Sequence, residues 1–193
     1  REIMQVFTGL LLALFVAMLS GTIVGNALPV IIADLGGNQL QYAWIVTAAL
    51  LASTAATPIF GKLADLFDKK RLLLTAIALF SLGSLLAGLS TSPGALIAFR
   101  AIQGVGMGAQ MALVQVTIAS IISPRERGRY NGYMGAVMAV ATVSGPLIGG
   151  VIVDTPWLGW RWTYWSAIPF SIAAIWVLHR RLVVPAAPRR KPQ

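Results

Sequence analysis

Between positions 58 and 80 the chain reads Pro58-Ile59-Phe60-Gly61-Lys62-Leu63-Ala64-Asp65-Leu66-Phe67-Asp68-Lys69-Lys70-Arg71-Leu72-Leu73-Leu74-Thr75-Ala76-Ile77-Ala78-Leu79-Phe80. Two apolar runs meet at a patch that gathers every charge of the stretch: Lys62, Asp65, Asp68, Lys69, Lys70 and Arg71. The runs continue outward, upstream to about Tyr42 and downstream to about Leu89, where Ser90-Thr91-Ser92-Pro93 stops the second. Each is close to the roughly 20 apolar residues that a helix needs to cross the hydrocarbon core of a bilayer. Transmembrane strands would be about 10 residues with apolar and polar positions alternating, a pattern absent here.

Working outward, the same alternation of long apolar run and short polar break recurs along the whole chain. The predicted spans lie within Ile3–Ile32 and near Tyr42–Leu63, Leu72–Leu89, Gly94–Ile122, Tyr130–Val153 and Trp162–Leu182. Hydrophobic residues make up 57% of the chain and charged ones 11%, against about 25% charged in an ordinary soluble domain. The expected fold class is therefore an all-α membrane protein, a six-transmembrane-helix bundle with the lipid bilayer as its solvent. No cysteine and one histidine, His179, give no basis for a disulfide framework or a metal site, and no cofactor motif is evident. The net charge of +9 does not read as nucleic-acid binding, because the basic residues sit in short clusters between apolar runs.

Those clusters set an orientation. Of the 15 Lys and Arg residues, all except Arg100 and Arg161 fall at the amino end, in the 2–3 and 4–5 connections, or in the carboxyl tail. The positive-inside rule then makes both termini and the two basic connections cytoplasmic. Trp44, Trp157, Trp160 and Trp162 fall at the predicted outer boundaries, where amphipathic rings anchor helices at headgroup level.

Further segments add to the opening stretch. The first span ends Ala27-Leu28-Pro29-Val30-Ile31-Ile32-Ala33-Asp34; the fourth holds Arg100-Ala101-Ile102-Gln103-Gly104-Val105-Gly106-Met107-Gly108; the fifth holds Gly145-Pro146-Leu147-Ile148-Gly149-Gly150-Val151-Ile152-Val153-Asp154; the last outer connection reads Gly159-Trp160-Arg161-Trp162-Thr163-Tyr164. In this order they resemble the major facilitator superfamily, and within it the fourteen-helix drug:proton antiporter branch. The resemblance spans roughly residues 5–182. Gly61, Asp65, Lys69, Lys70 and Arg71 match motif A, implying a conformational switch; the Arg100 segment matches motif B; Gly145, Pro146, Gly149, Gly150 and Asp154 match motif C, associated with antiporters. The chain departs from the pattern at Asp68, where glycine is usual, near Lys69, where an arginine is usual, and at Ser166-Ala167 in place of an Ile-Asn pair. Ser20 stands where this branch often carries a membrane-embedded aspartate.

The resemblance implies two inverted three-helix repeats in each half of the transporter. An internal echo is consistent with it: Pro58-x-x-Gly61-x-x-x-Asp65 ends the second span, and Pro146-x-x-Gly149-Gly150-x-x-x-Asp154 ends the fifth. Residues 1–182 would form the amino-terminal bundle, and 183–193 the start of a basic cytoplasmic linker. Six helices supply one of the two bundles of a facilitator. The expected partner is a second six-helix bundle, either the rest of a longer parent chain or a second copy.

Arg100 is the most informative residue. It lies about two turns into the fourth span, at a depth where a charge must face protein or water. Gln103, Met107 and Gln110 follow at helical spacing and share its face. Arg100, Gln103, Gln110, Asn26 and Asp34 are the candidates for a substrate and proton path. Ser20 and Thr22 are expected to bond their own helix backbone. No Asp or Glu lies deep in a span, so a proton-coupling carboxylate would be a boundary one such as Asp34, Asp65 or Asp154, or lie outside this chain. The function implied is not enzymatic: secondary active transport, by resemblance proton-coupled efflux of lipophilic or cationic drugs, from a bacterial inner membrane. A metabolite, sugar or peptide carrier of the same superfamily and a non-transporting scaffold are the alternatives.

Overall fold

The computed structural model describes residues 2–182, and within them every regular element is a helix. The expected linker 183–193 lies outside the described residues. The elements are α1 (Glu2–Asp34), α2 (Gln39–Leu66), α3 (Lys69–Leu89), α4 (Pro93–Ile121), α5 (Arg127–Asp154), α6 (Arg161–Trp165) and α7 (Ala167–Arg181). The first five are long and apolar enough to cross a membrane. Together with α6–α7 they correspond to the six expected spans.

Capping explains why the helices outrun the apolar runs. The Asn38 side chain accepts from the Gln41 backbone N–H at 2.9 Å, and the Gln41 side chain accepts from the Asn38 N–H at 3.0 Å. This reciprocal pair starts α2 three residues before Tyr42. Asp68 caps α3 by accepting from the Lys70 N–H at 3.2 Å, and the Ser92 hydroxyl caps α4 at Ala95, with Pro93 in the first turn where its missing N–H costs nothing. The basic 2–3 connection is therefore not a loop of seven or more residues. It shrinks to Phe67–Asp68, with Lys62 on α2 and Lys69, Lys70 and Arg71 on the first turn of α3.

The sixth span departs most from expectation, because Ser166 interrupts it. Pro169 has no N–H to donate to the Trp165 carbonyl, and its ring crowds that carbonyl. Ser166 keeps helical backbone angles (φ −59°, ψ −26°), so the chain runs on with little change of direction. At ~1.5 Å rise per residue, Arg161–Arg181 spans about 30 Å, enough to cross.

Glycine lets the helices approach backbone to backbone. A Cβ on Gly104 would fall onto the Ala49 carbonyl oxygen, and one on Gly108 onto that of Ser53, so α4 lies directly against α2. Gly83 of α3 meets the Gln103 backbone, and Gly106 of α4 meets that of Phe80. On the other side of the bundle, Gly145 and Gly149 of α5 face Thr22 and Ile23 of α1. The most extensive helix pairs are accordingly α2 with α4, α3 with α4, and α1 with α5. Exchanging the first three spans for the second three turns the α2–α4 pair into the α5–α1 pair, as the inverted repeat requires.

The end that carries the basic residues and the end that carries the tryptophans are held differently. At the basic end, Phe7 stands edge-on to Tyr130 with ring centroids 4.6 Å apart, and Lys70 Nζ donates to the His179 carbonyl at 2.7 Å. At the tryptophan end, Trp160 Nε1 donates to Asp34 at 2.6 Å, while Arg161 donates to the carbonyls of Gly88 and Ser90 at 2.7 and 2.9 Å. Arg161 also lies 4.5 Å from the Trp160 ring centroid. This clamp joins the ends of α1, α3 and α6. Trp160 is thus buried, 6% exposed, unlike Trp44, Trp157 and Trp162, which are open to the surroundings as boundary anchors should be.

Two helices are left unpartnered on a broad face. Only 17% of the most apolar stretch of α2 and 22% of that of α5 is buried, against 56% for α1 and α4. Leu50, Leu51 and Ile59 of α2 and Val143, Leu147 and Val151 of α5 point outward.

The close approach of α4 to α2 predicts a position-dependent cost. Gly104→Ala should destabilise the bundle by about 1–3 kcal/mol through overpacking against backbone. Gly135→Ala, which meets open space, should be neutral or slightly stabilising through helix propensity. Thermal unfolding in detergent distinguishes them.

Candidate functional site

The centre of the bundle holds a polar cluster that three helices build together. Arg100 and Gln103 come from α4, one turn apart; Ser84 comes from α3 and Ser20 from α1. The glycine contact between Gly83 and Gln103 brings Ser84, the next residue, to Gln103. Gln103 Oε1 accepts from Arg100 at 2.6 Å, and Gln103 Nε2 donates to Ser84 at 2.9 Å and reaches Ser20 Oγ at 3.5 Å. Arg100 is 7% exposed and Gln103 fully buried. Ser20 therefore faces Gln103, and not its own helix backbone as the sequence led us to expect. Thr22 does bond back to the Leu19 carbonyl at 2.9 Å, and its oxygen also lies 3.2 Å from the Ala141 carbonyl of α5.

Arg100 is a cation without an acid. The one ion pair among the described residues is Arg71 with Asp68, 3.7 Å apart at the surface. Arg100 Nε has no hydrogen-bond partner, so Gln103 is what satisfies the guanidinium. Tyr164, fully buried at the head of the sixth span, also carries an unpartnered hydroxyl. Further along α4, Gln110 is buried with its Oε1 unpartnered, and Thr117 below it is in the same condition. Buried polar atoms in an apolar bundle cost free energy unless paired or hydrated. The stripe Arg100–Gln103–Gln110 expected from spacing is thus present, and it continues to Thr117. Sequence reasoning missed Ser84 and Tyr164. Small serines are common in helix seams, so nothing local marks Ser84; Tyr164 could have been flagged as a hydroxyl within an apolar span.

The other candidates lie elsewhere. Asn26 is exposed and donates to the Pro146 carbonyl at 3.3 Å, tying α1 to α5 beside Gly145 and Gly149. Asp34 is bonded to Trp160 in the clamp described above. Among the motif A residues, Gly61, a residue type that would allow close helix contact, meets nothing within 4 Å among the described residues. Asp65 is exposed at the last turn of α2 and makes no ion pair among the described residues. The negative end of the helix dipole disfavours a carboxylate there. The basic residue that pairs does so with Asp68, a neighbour within the same turn. Gly150 also meets open space, whereas Gly145 and Gly149 are seams, and Asp154 ends α5 on the exposed side.

The described residues thus form a bundle of six apolar spans around a buried cation that has no acid partner among them. Residues 10–193 match the family model of the Major Facilitator Superfamily, and the chain belongs to that family. It is similar to the multidrug transporter protein MdtP of Bacillus subtilis, 39% identical over 91% of this chain and 32% of that protein. It is also similar to the efflux pump dotC of Dothistroma septosporum, 43% identical over 88% of this chain and 28% of that one. Among solved structures, a bacterial homologue of the human lysosomal transporter Spinster in an inward-facing, unoccupied form superposes with a TM-score of 0.82 at 16% identity, over 97% of this chain and 44% of that chain. The proton:xylose symporter XylE superposes at 0.80 with 14% identity, over 92% and 44%. The chain spans about a third or less of these curated relatives and under half of these structures.

The hydrogen-bond chain predicts that Gln103→Leu destabilises the bundle by about 2–3 kcal/mol, because Arg100 loses its partner in the apolar interior. Ser84→Ala should cost about 1 kcal/mol. Chemical denaturation in detergent, followed by tryptophan fluorescence, measures both.

Proposed function

We propose that this chain is the amino-terminal half of a secondary active transporter that exports lipophilic, often cationic, compounds in exchange for protons by alternating access. The observation that carries the reading is Arg100: a buried guanidinium held by Gln103 and facing no acid. A charge kept in a membrane interior at such cost is retained for a substrate or ion path. A scaffold would gain nothing from it. The drug-exporting branch is favoured over a metabolite carrier by the Gly145-Pro146 motif and by relatives that are named as multidrug transporters or efflux pumps.

In this reading the path runs along Arg100, Gln103 and Gln110, with Asn26 at its α1–α5 edge. A positive charge at Arg100 would repel a cationic substrate, and its binding would be relieved by a carboxylate from the second bundle or by movement of Gln103. The open face of α2 and α5 docks that second bundle, the rest of a parent chain or a second copy. Motif C is the α1–α5 seam: Gly145 and Gly149 pack it, and Thr22 and Asn26 bond across it. Asp34 serves as the outer clamp's acceptor. In this reading both termini lie on the cytoplasmic side, which the clustering of basic residues at one end of the bundle supports, and the membrane is a bacterial inner membrane.

Gly61 and Asp65 form the half-made contact of motif A. Both are open among the described residues, which supports partners on the second bundle, where Asp65 would meet cationic side chains or a helix amino-terminus. Lys69, Lys70 and Arg71 would take part in the same closure.

Cells expressing the full-length transporter should extrude a fluorescent lipophilic cation when a proton gradient is imposed. Collapse of the gradient with an uncoupler should stop extrusion. Arg100→Ala should lower the rate at least tenfold while leaving surface expression intact. Gradient-independent efflux, or unaltered efflux by Arg100→Ala, would reject the reading.

Asp65→Asn removes charge at constant size. It should weaken cytoplasmic closure and raise labelling of a cysteine placed on the cytoplasmic side of the full protein. The stability of the isolated bundle should change by less than about 0.5 kcal/mol, as for an exposed residue without a partner. Unchanged labelling would remove Asp65 from the switch.

A further inference from the structure

The basic end of the bundle contains a feature that transport does not use. Between the start of α1 and the end of α7 lies a groove of about 380 Å³, lined by Met4, Gln5, Thr8, Trp176, Val177 and Arg181. Its walls are set by Gly9, which lets Val177 and Leu178 press against α1.

We infer that this groove binds an anionic phospholipid of the cytoplasmic leaflet, with the phosphodiester at Arg181 and an acyl chain along Trp176, Val177 and Met4. The charge of the groove is the first support. Arg181 sits at its rim, and Arg180 beside it lies 5.5 Å from the Trp176 ring centroid. Lys70 is brought to the same helix end by its bond to the His179 carbonyl. Glu2, at the head of α1, is the acid nearest in sequence. A guanidinium offers the paired donors that a phosphate accepts, and basic pockets between transmembrane helices recognise anionic headgroups.

The second support is the shape of the apolar part. Trp176 is 61% exposed and Ile172, one turn deeper, 58%. With Met4 they form an outward-facing track that leads from the cationic rim toward the hydrocarbon. Tryptophan at this level is the residue of the lipid boundary. The groove also lies away from the open face of α2 and α5: the long helices that α7 packs against most are α1 and α3.

The test is native mass spectrometry of the purified full-length protein in detergent, titrated with dioleoyl phosphatidylglycerol or dioleoyl phosphatidylcholine. Phosphatidylglycerol should bind at least about fivefold more tightly, since one basic residue near the headgroup is worth roughly that factor. Arg181→Gln should lower phosphatidylglycerol affinity about fivefold and leave phosphatidylcholine unchanged. Arg181→Lys should retain most of the preference, and Trp176→Ala should weaken both lipids. Equal affinity of the native protein for the two lipids would overturn the inference, and so would an Arg181→Gln variant with intact preference. Displacement of phosphatidylglycerol by millimolar inorganic phosphate would overturn it in favour of a free-anion site. If Arg181→Gln fails to fold, the comparison of the two lipids on the native protein, with Arg181→Lys, decides.

Discussion

The structure depends on the closeness of α4 to its neighbours. Three glycines on α4 and one on α3 bring backbones together where any side chain would hold them apart. In a bilayer this packing matters more than apolar burial, because lipid tails are as apolar as leucine and give helices little reason to associate. Its consequence is chemical as well as mechanical. Only with α3 seated at Gly83 can Ser84 reach Gln103, and only a Gln103 fixed from three sides can hold Arg100 in an interior without acids. The transport reading follows from that chain of contacts.

The same arrangement appears twice with its parts redistributed. In the α2–α4 pair the glycines lie on α4, at Gly104 and Gly108, against Ala49 and Ser53. In the α1–α5 pair they lie on α5, at Gly145 and Gly149, against Thr22 and Ile23. The inverted repeat thus preserves which helices meet while glycine moves from one member of the pair to the other. Polar bonds follow the seams: Thr57 reaches the Gly108 carbonyl at 3.3 Å, as Asn26 reaches that of Pro146 at the same distance. These bonds cross helix boundaries in an apolar medium, where each contributes about 0.6 kcal/mol on average.

Much of this was legible in the sequence. Span number follows from apolar length, and both the polar face of α4 and its glycine contacts from helical spacing. What was not legible depends on caps and on tertiary partners. Asn38 and Asp68 extend helices into polar segments that hydropathy reads as loop. Pro169 splits the sixth span by acting on a carbonyl four residues earlier. Trp160 reads as a boundary anchor, yet it turns inward because Asp34 is there to accept its N–H, a pairing 126 residues apart. Gly61 faces open space among the described residues, so its place in motif A is not explained by packing within this bundle. Ser20 was expected to satisfy itself locally; Gln103 came within reach.

The central claim is that the open face of α2 and α5 lines an interface with a second bundle and an aqueous path between the two. These 193 residues contain no cysteine, so once any cysteine elsewhere in the full-length protein is replaced, single cysteines in this bundle report without background. Leu50→Cys lies on that face and Ile172→Cys on the lipid side of α7. In the full-length transporter, the accessibility of Leu50→Cys to a membrane-impermeant thiol reagent should change when the proton gradient is imposed or collapsed, while Ile172→Cys stays unreactive throughout. If Leu50→Cys is as unreactive as Ile172→Cys under both conditions, and a spin label at either site is relaxed equally by lipid-dissolved oxygen, the face is a lipid surface and the account is contradicted.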